Sequence, residues 1–132
     1  MFEKFGLSQE LLTVIRESGF AEPTEIQSKS IPYIMEGKDV IGESATGSGK
    51  TLAFGCGIVD HVVSHGGLQA LILTPTRELA DQVAKSLAHF SSNKGLSVVE
   101  IYGGVSISPQ IQQLERADVV IGSLHSDEGS PC

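Results

Sequence analysis

An α/β fold built on a parallel sheet is predicted by three features of the chain. The apolar pair Val40 and Ile41 runs into the glycine-rich stretch Ser44-Ala45-Thr46-Gly47-Ser48-Gly49-Lys50-Thr51 and then into a segment that can be helical. Further apolar runs, Ala70-Leu71-Ile72-Leu73, Val98-Val99-Glu100-Ile101-Tyr102 and Ala117-Asp118-Val119-Val120-Ile121, alternate with segments of helical periodicity. The connections between them are short. Strands alternating with helices in this way give parallel neighbours joined by right-handed crossovers.

The elements follow in order. Ser8 can cap a helix over residues 9–18, with Leu11, Leu12 and Ile15 on one face and Gly19 as its stop. After the connector Phe20-Ala21-Glu22-Pro23, Thr24 and Gln27 have the spacing of a capping box, N-cap and N3, opening a second helix. Pro32 disfavours helical geometry at Ile31, so this helix is expected to break there and give way to a turn ending at Gly37. Lys38-Asp39 then leads into the first strand. Residues 52–65 carry Ile58, Val59, Val62 and Val63 at helical spacing, with Gly55 and Gly57 expected to allow close packing on the sheet. Gly66-Gly67 ends that helix.

The run at 70–73 is continuous, as expected for a parallel strand covered on both faces. A helix from about residue 78 to 90 aligns Leu79, Val83, Leu87 and Phe90 on one stripe. Asn93-Lys94-Gly95 is a turn, residues 98–102 a third strand, and Gly103-Gly104 a sharp turn. Ser108-Pro109 reads as an N-cap and N1 pair opening a helix to Arg116, before a fourth strand at 117–121. The chain is thus divided into a domain at 1–122 and a polar tail at 123–132.

Bulk properties narrow the function. At 132 residues, with 40% apolar and 19% charged residues, the chain reads as one globular domain or part of one. No apolar run approaches the ~18 residues of a membrane span, and Met1-Phe2-Glu3-Lys4 is not the start of a signal peptide, so a soluble intracellular protein, cytoplasmic or nuclear, is expected. Cys56 and Cys132 lack metal-ligand spacing, and a structural disulfide is not expected. The net charge of −7 has the wrong sign for holding nucleic acid by bulk electrostatics. Any nucleic-acid site must be local.

The stretch at 44–51 carries the chemistry. A glycine-rich turn entering a helix aims backbone N–H groups and the positive end of the helix dipole at one spot, which suits a polyphosphate. Gly47 and Gly49 let the backbone approach the ligand, Lys50 can reach the β and γ phosphates, and the Thr51 hydroxyl can ligate Mg²⁺. The strict pattern has Gly where this chain has Ser44.

Taken together, Gly19-Phe20-Ala21-Glu22-Pro23-Thr24-Glu25-Ile26-Gln27, Ala45-Thr46-Gly47-Ser48-Gly49-Lys50-Thr51, Pro75-Thr76-Arg77-Glu78-Leu79-Ala80 and Tyr102-Gly103-Gly104 resemble, in order and spacing, the Q motif, motif I, motif Ia and GG motif of the DEAD-box ATP-dependent RNA helicases. The resemblance covers residues 2–122 and implies part of a P-loop NTPase domain of RecA-like fold, incomplete at its C-terminal side. It implies ATP or ADP with Mg²⁺ as cofactors. The nucleotide would be held by Phe2, Phe20, Thr24, Gln27, Ser44, Ala45, Thr46, Gly47, Ser48, Gly49, Lys50 and Thr51, with Lys50 and Thr51 in catalytic roles and Thr51 on the metal. Gln27 would read the adenine edge through its amide, although the same side chain suits the capping box. Phe2 stands where the family has an aromatic that stacks on adenine, and Phe5 is close by. Single-stranded RNA would be touched by Pro75, Thr76, Arg77, Glu78, Gly103 and Gly104, contacts that position a strand without reading its sequence.

The sequence departs from the family after Ile121-Gly122, where Ser123-Leu124-His125-Ser126 replaces a Thr-Pro-Gly-Arg motif. Asp127-Glu128 lies in a polar tail rather than at the end of an apolar strand, so it is not the acidic metal-binding motif. The expectation is a helicase-like piece that binds adenine nucleotide weakly at most, and RNA weakly, without hydrolysing ATP. The alternative is a non-catalytic binding or protein-interaction product that self-associates or meets a partner along an exposed sheet edge.

Overall fold

A computed structural model describes residues 1–45, 49–102 and 112–123. The chain divides into two compact units, Met1–His61 with His89–Lys94, and Val62–Ala88 with Gly95–Cys132.

The first unit is helical. A 3-10 turn at Phe2–Phe5 precedes α1 (Gln9–Glu17), α2 (Glu25–Met35) and α3 (Lys50–His61). Ser8 caps α1, its hydroxyl accepting from Leu11 N, and it also donates to Asp60 on α3 at 2.7 Å. Gly19, at φ 85°, closes α1: its N–H bonds Arg16 O while Phe20 N bonds Ile15 O, the paired bonds of a Schellman motif. Gly37 closes α2 in the same way, with bonds to Ile34 O and from Lys38 N to Tyr33 O. The core gathers Phe2, Leu11, Ile15, Ile31, Leu52, Cys56, Val59 and Phe90. Burial pushes the Cys56 thiol up to about 12.

The helix at α2 does not break at Pro32 but continues through it to Met35. An interior proline costs about 3 kcal/mol. Full burial of Ile31, worth roughly 1.5–3 kcal/mol, offsets much of that, and Ile34 seats directly on Gly57 of α3. Gly57 therefore serves the helix–helix contact, not packing on a sheet. The expected strand at Val40-Ile41 does not form either; residues 38–45 are irregular and Ile41 is 99% exposed. A strand exists only by pairing, and none of the described strands pairs with this segment. The helix that follows begins earlier, at Lys50, and ends at His61 rather than at 65. Lys94 Nζ caps it through Val59 O at 2.6 Å.

The second unit holds a three-stranded parallel sheet of β1 (Ala70–Thr74), β2 (Val98–Tyr102) and β3 (Val119–Ser123), in the order β1-β3-β2, with α4 (Arg77–Phe90) between β1 and β2 in the chain. The central strand, β3, buries Val119, Val120 and Ile121. It starts two residues later than expected because Asp118 acts outside it. The Asp118 carboxylate accepts from Ser97 N at 2.9 Å, and its backbone bonds Ser97 O and Gln69 N, which sets the register of all three strands at their common start. Ser123, read as the first residue of the tail, closes β3 opposite Thr74 and Tyr102.

Two further expectations change. Of the stripe expected on α4, Val83, Leu87 and Phe90 are buried, together with Ala80 and Ala84, while Leu79 is turned outward, one residue off the buried line that Ala80 occupies. Strand β1 is covered on one face only: Leu71 and Leu73 are 64% and 61% exposed, and no described element lies over them. The helix expected from Ser108-Pro109 falls mostly outside the described residues; residues 112–114 are helical. Among the described residues no helix is long and apolar enough to cross a membrane.

Replacing Gly57 by Ala would place a Cβ against Ile34 Cγ2, on a stiff β-branched side chain. Gly57→Ala is expected to lower stability by ~1–3 kcal/mol, read as a lower urea midpoint at unchanged slope.

Candidate functional site

Of the residues expected to hold the nucleotide, Thr24, Gln27, Ser44, Gly49 and Lys50 come together at the start of α3. Gly49 adopts φ 91°, a left-handed conformation that side chains resist, and turns the chain into the helix at Lys50. A Cβ there would strike the Gln27 amide and come within 3.2 Å of Thr24 Oγ1. Gln27 is fully buried. Its Oε1 accepts from Thr24 N at 2.9 Å and its backbone N–H donates to Thr24 Oγ1 at 3.4 Å, which completes the capping box. Its Nε2 donates to Gly49 O at 3.1 Å. One carboxamide thus ties the first turn of α2 to the residue that launches α3. The amide keeps one N–H and one oxygen lone pair beyond these bonds, so the capping role does not exhaust it.

Lys50 is exposed, and its ammonium donates to Ser44 O across the loop at 2.8 Å. Thr51 follows in the first turn, half-buried. Thr46, Gly47 and Ser48 lie outside the described residues. Those described fit a polyphosphate with Mg²⁺: a left-handed glycine at the turn, an exposed ammonium on a loop carbonyl, and a hydroxyl in the first turn of a helix whose leading N–H groups have no intrahelical acceptor. Phe2 is 3% exposed and packs edge-on against Phe5 in the core. Phe20 is 40% exposed and lies 6.0 Å from the Phe90 ring.

In the second unit, Pro75, Thr76, Arg77 and Glu78 follow directly on β1. Thr76 caps α4, its hydroxyl oxygen accepting from Leu79 N at 3.2 Å, and Thr74 Oγ1 donates to Thr76 O at 2.9 Å. Gly103 and Gly104 fall outside the described residues.

Sequence reasoning missed a polar cluster beside Arg77. Arg77 and Asp81 stand one turn apart on α4; Glu100 and Tyr102, two apart on β2, share the sheet face beneath them. The Arg77 guanidinium carbon lies 3.9 Å from the centre of the Tyr102 ring. The Tyr102 hydroxyl stands 2.7 Å from Glu100 Oε2 and 3.1 Å from Asp81 Oδ1. The signal was Glu100, a charge in the middle of an otherwise apolar strand. Two carboxyls this close resist ionising together. Burial, then the hydrogen bond to Asp81, raises Glu100 above its ordinary value; the hydrogen bond from Glu100, helped by Tyr102 and Arg77, lowers Asp81. Burial and both carboxyls push the Tyr102 phenol up to about 12.

These directions set a pH dependence. The raised Glu100 contributes stability that is present below its ordinary 4.5 and fades as pH rises through its folded value, while the lowered Asp81 contributes stability present above 3.8 and lost as pH falls through its folded value. Carboxyl ¹³C titration is expected to show Glu100 releasing its proton above 4.5 and Asp81 below 3.8, with the split removed in Glu100→Gln.

The chain resembles known proteins over nearly all its length. Residues 24–127 match the DEAD/DEAH box helicase family. RNA helicase CrhR of Synechocystis sp. (strain ATCC 27184 / PCC 6803 / Kazusa) is 45% identical over 123 residues, 92% of this chain and 25% of that protein. The crystal structure of a DEAD box protein from the hyperthermophile Methanococcus jannaschii superposes with a TM-score of 0.88 at 42% identity, covering 92% of this chain and 34% of that one. A hypothetical ATP-dependent RNA helicase from Sulfolobus tokodaii gives a TM-score of 0.79 at 38% identity over 89% of this chain and 34% of that one. The chain therefore spans between a quarter and about a third of the relatives it matches.

Proposed function

Because this chain belongs to the DEAD/DEAH box helicase family, with an α/β fold that matches the parallel-sheet domain of DEAD box proteins, we propose that it carries the adenine-nucleotide grip and part of the RNA contact of such a helicase. The observation that carries the reading is the joint at Gln27, whose amide meets Gly49 at the mouth of the phosphate loop.

In this reading the ammonium of Lys50 leaves Ser44 O for the β and γ phosphates, and the first N–H groups of α3 receive the phosphate oxygens. Thr51 would hold Mg²⁺, which would screen the charge between phosphates. Gln27 uses its remaining donor and acceptor on the adenine edge, favouring ATP over GTP by the amide–adenine complementarity known from groove readout. Of the two aromatics assigned to the base, Phe20 offers the open ring face and Phe2 does not. Pro75, Thr76, Arg77 and Glu78 set an RNA strand by its backbone.

The 132 residues by themselves are proposed not to turn ATP over. Hydrolysis needs a carboxylate on the metal, a group orienting water and a cation on the transferred phosphoryl, and no such set accompanies Lys50 and Thr51 among the described residues. Titration with a fluorescent ADP analogue is expected to show saturable binding that is lost in Lys50→Ala and Gln27→Ala. A phosphate-release assay with RNA and Mg·ATP is expected to match the Lys50→Ala background. Turnover well above that background would overturn the non-catalytic part, and absence of any nucleotide signal would overturn the grip.

The open face of β1 supports a second reading, a surface that meets another copy or a partner. Exposed leucines at 71 and 73 on an unpaired edge favour association. Sedimentation is expected to show concentration-dependent assembly that Leu71→Lys with Leu73→Lys abolishes.

A further inference from the structure

The cluster on α4 and β2 explains how an acidic chain can present a cation to a phosphate backbone. An exposed arginine on a first helical turn ordinarily samples many rotamers, and ordering it costs side-chain entropy. Here the guanidinium lies over an aromatic face at 3.9 Å. A guanidinium placed flat on a ring would keep its N–H fork along its edges, where phosphate oxygens bind. The ring is itself restrained, since its hydroxyl reaches two carboxyls, one on its own strand and one on the helix bearing Arg77. Each member comes from a regular element, so the seat is rigid.

We propose that Tyr102, braced by Asp81 and Glu100, is a positioning residue that seats Arg77 for contact with an RNA phosphate. This rests on the reading of Arg77 as an RNA contact. Tyr102 acts through Arg77 and need not touch RNA. The carboxyls are part of the same device: by holding the ring they fix the stacking plane, and Asp81, one turn along from Arg77, disfavours drift of the guanidinium away from the helix.

The seat and its use are tested separately in the full 132-residue chain. Side-chain NMR reads the seat: the Arg77 resonances are expected to show a ring-current shift that persists in Tyr102→Phe and disappears in Tyr102→Leu. Fluorescence anisotropy with a labelled oligouridylate at low salt reads the use. Tyr102→Leu is expected to weaken binding by about threefold to tenfold, the scale of an exposed to partly desolvated cation–π contact, with most of the affinity kept in Tyr102→Phe. Arg77→Ala is expected to weaken binding at least as much, and adding Tyr102→Leu to it to have no further effect. Arg77→Lys, a surface change that keeps the charge and removes the flat fork, is expected to lose as much as Tyr102→Leu and serves if that variant does not fold.

A ring-current shift missing in the unmodified chain overturns the seat. Additive losses, or Arg77→Lys binding like the unmodified chain, overturn positioning while leaving Arg77 as an RNA contact. An Arg77→Ala variant that binds RNA unchanged, with the ring-current shift present, overturns the RNA-contact reading and the positioning role with it.

Discussion

The buried Gln27 carboxamide is the joint on which the first unit depends. It is the one described side chain that hydrogen-bonds both the opening turn of α2 and the residue that starts α3. Leaving a buried amide or carbonyl unpaired costs about 1–3 kcal/mol, so the geometry is maintained only while both ends are satisfied. Gly49 makes this possible. Its positive φ lets its carbonyl face Gln27, and the absence of a Cβ leaves the space that the amide fills. The position of Lys50 and Thr51 at the start of α3 follows from that turn. In the proposed reading, the loop that would hold the nucleotide is anchored by a group that also has the chemistry to recognise adenine, which would couple the integrity of the loop to the identity of the base.

The second unit is organised by hydrogen bonding at the start of its strands and by polar contacts at their ends. Asp118 and Ser97 align β2 and β3, and Gln69 brings β1 to the same level. From that common start, a five-residue register carries each strand to Thr74, Tyr102 and Ser123 in line. The residues that follow β1 then lie where α4 begins, and Tyr102 comes beneath Arg77. A shift of one residue in either strand would send Tyr102 to the opposite face. The cluster around Arg77 is therefore a consequence of sheet register more than of any local motif.

Charge reinforces the point. With a net charge of −7 the chain repels polyanions at a distance, so contact with a nucleic acid depends on a few cations held in place. Arg77 sits near the carboxyls of Asp81 and Glu100, with its guanidinium over the Tyr102 ring. A neutral ring beneath a guanidinium adds attraction without adding a competing full charge.

What the sequence determined by itself was local: the caps at Ser8 and Thr24, the glycine stops at Gly19 and Gly37, the turn into α3, and the periodicity of strands and helices. Each of these is decided by residues within a turn or two of one another, so spacing reveals it. Tertiary structure decided the rest. Burial of Ile31 and the contact of Ile34 with Gly57 offset much of the local penalty at Pro32 and carried α2 through it, and Val40-Ile41 failed as a strand because pairing is supplied by a distant segment or not at all. Gly57 turned out to face a helix, Asp118 left its strand to align two others, and Tyr102 met Arg77 across 25 positions of sequence. Those outcomes depend on which surfaces come together, and period and propensity carry no information about a neighbour that the chain reaches only by folding.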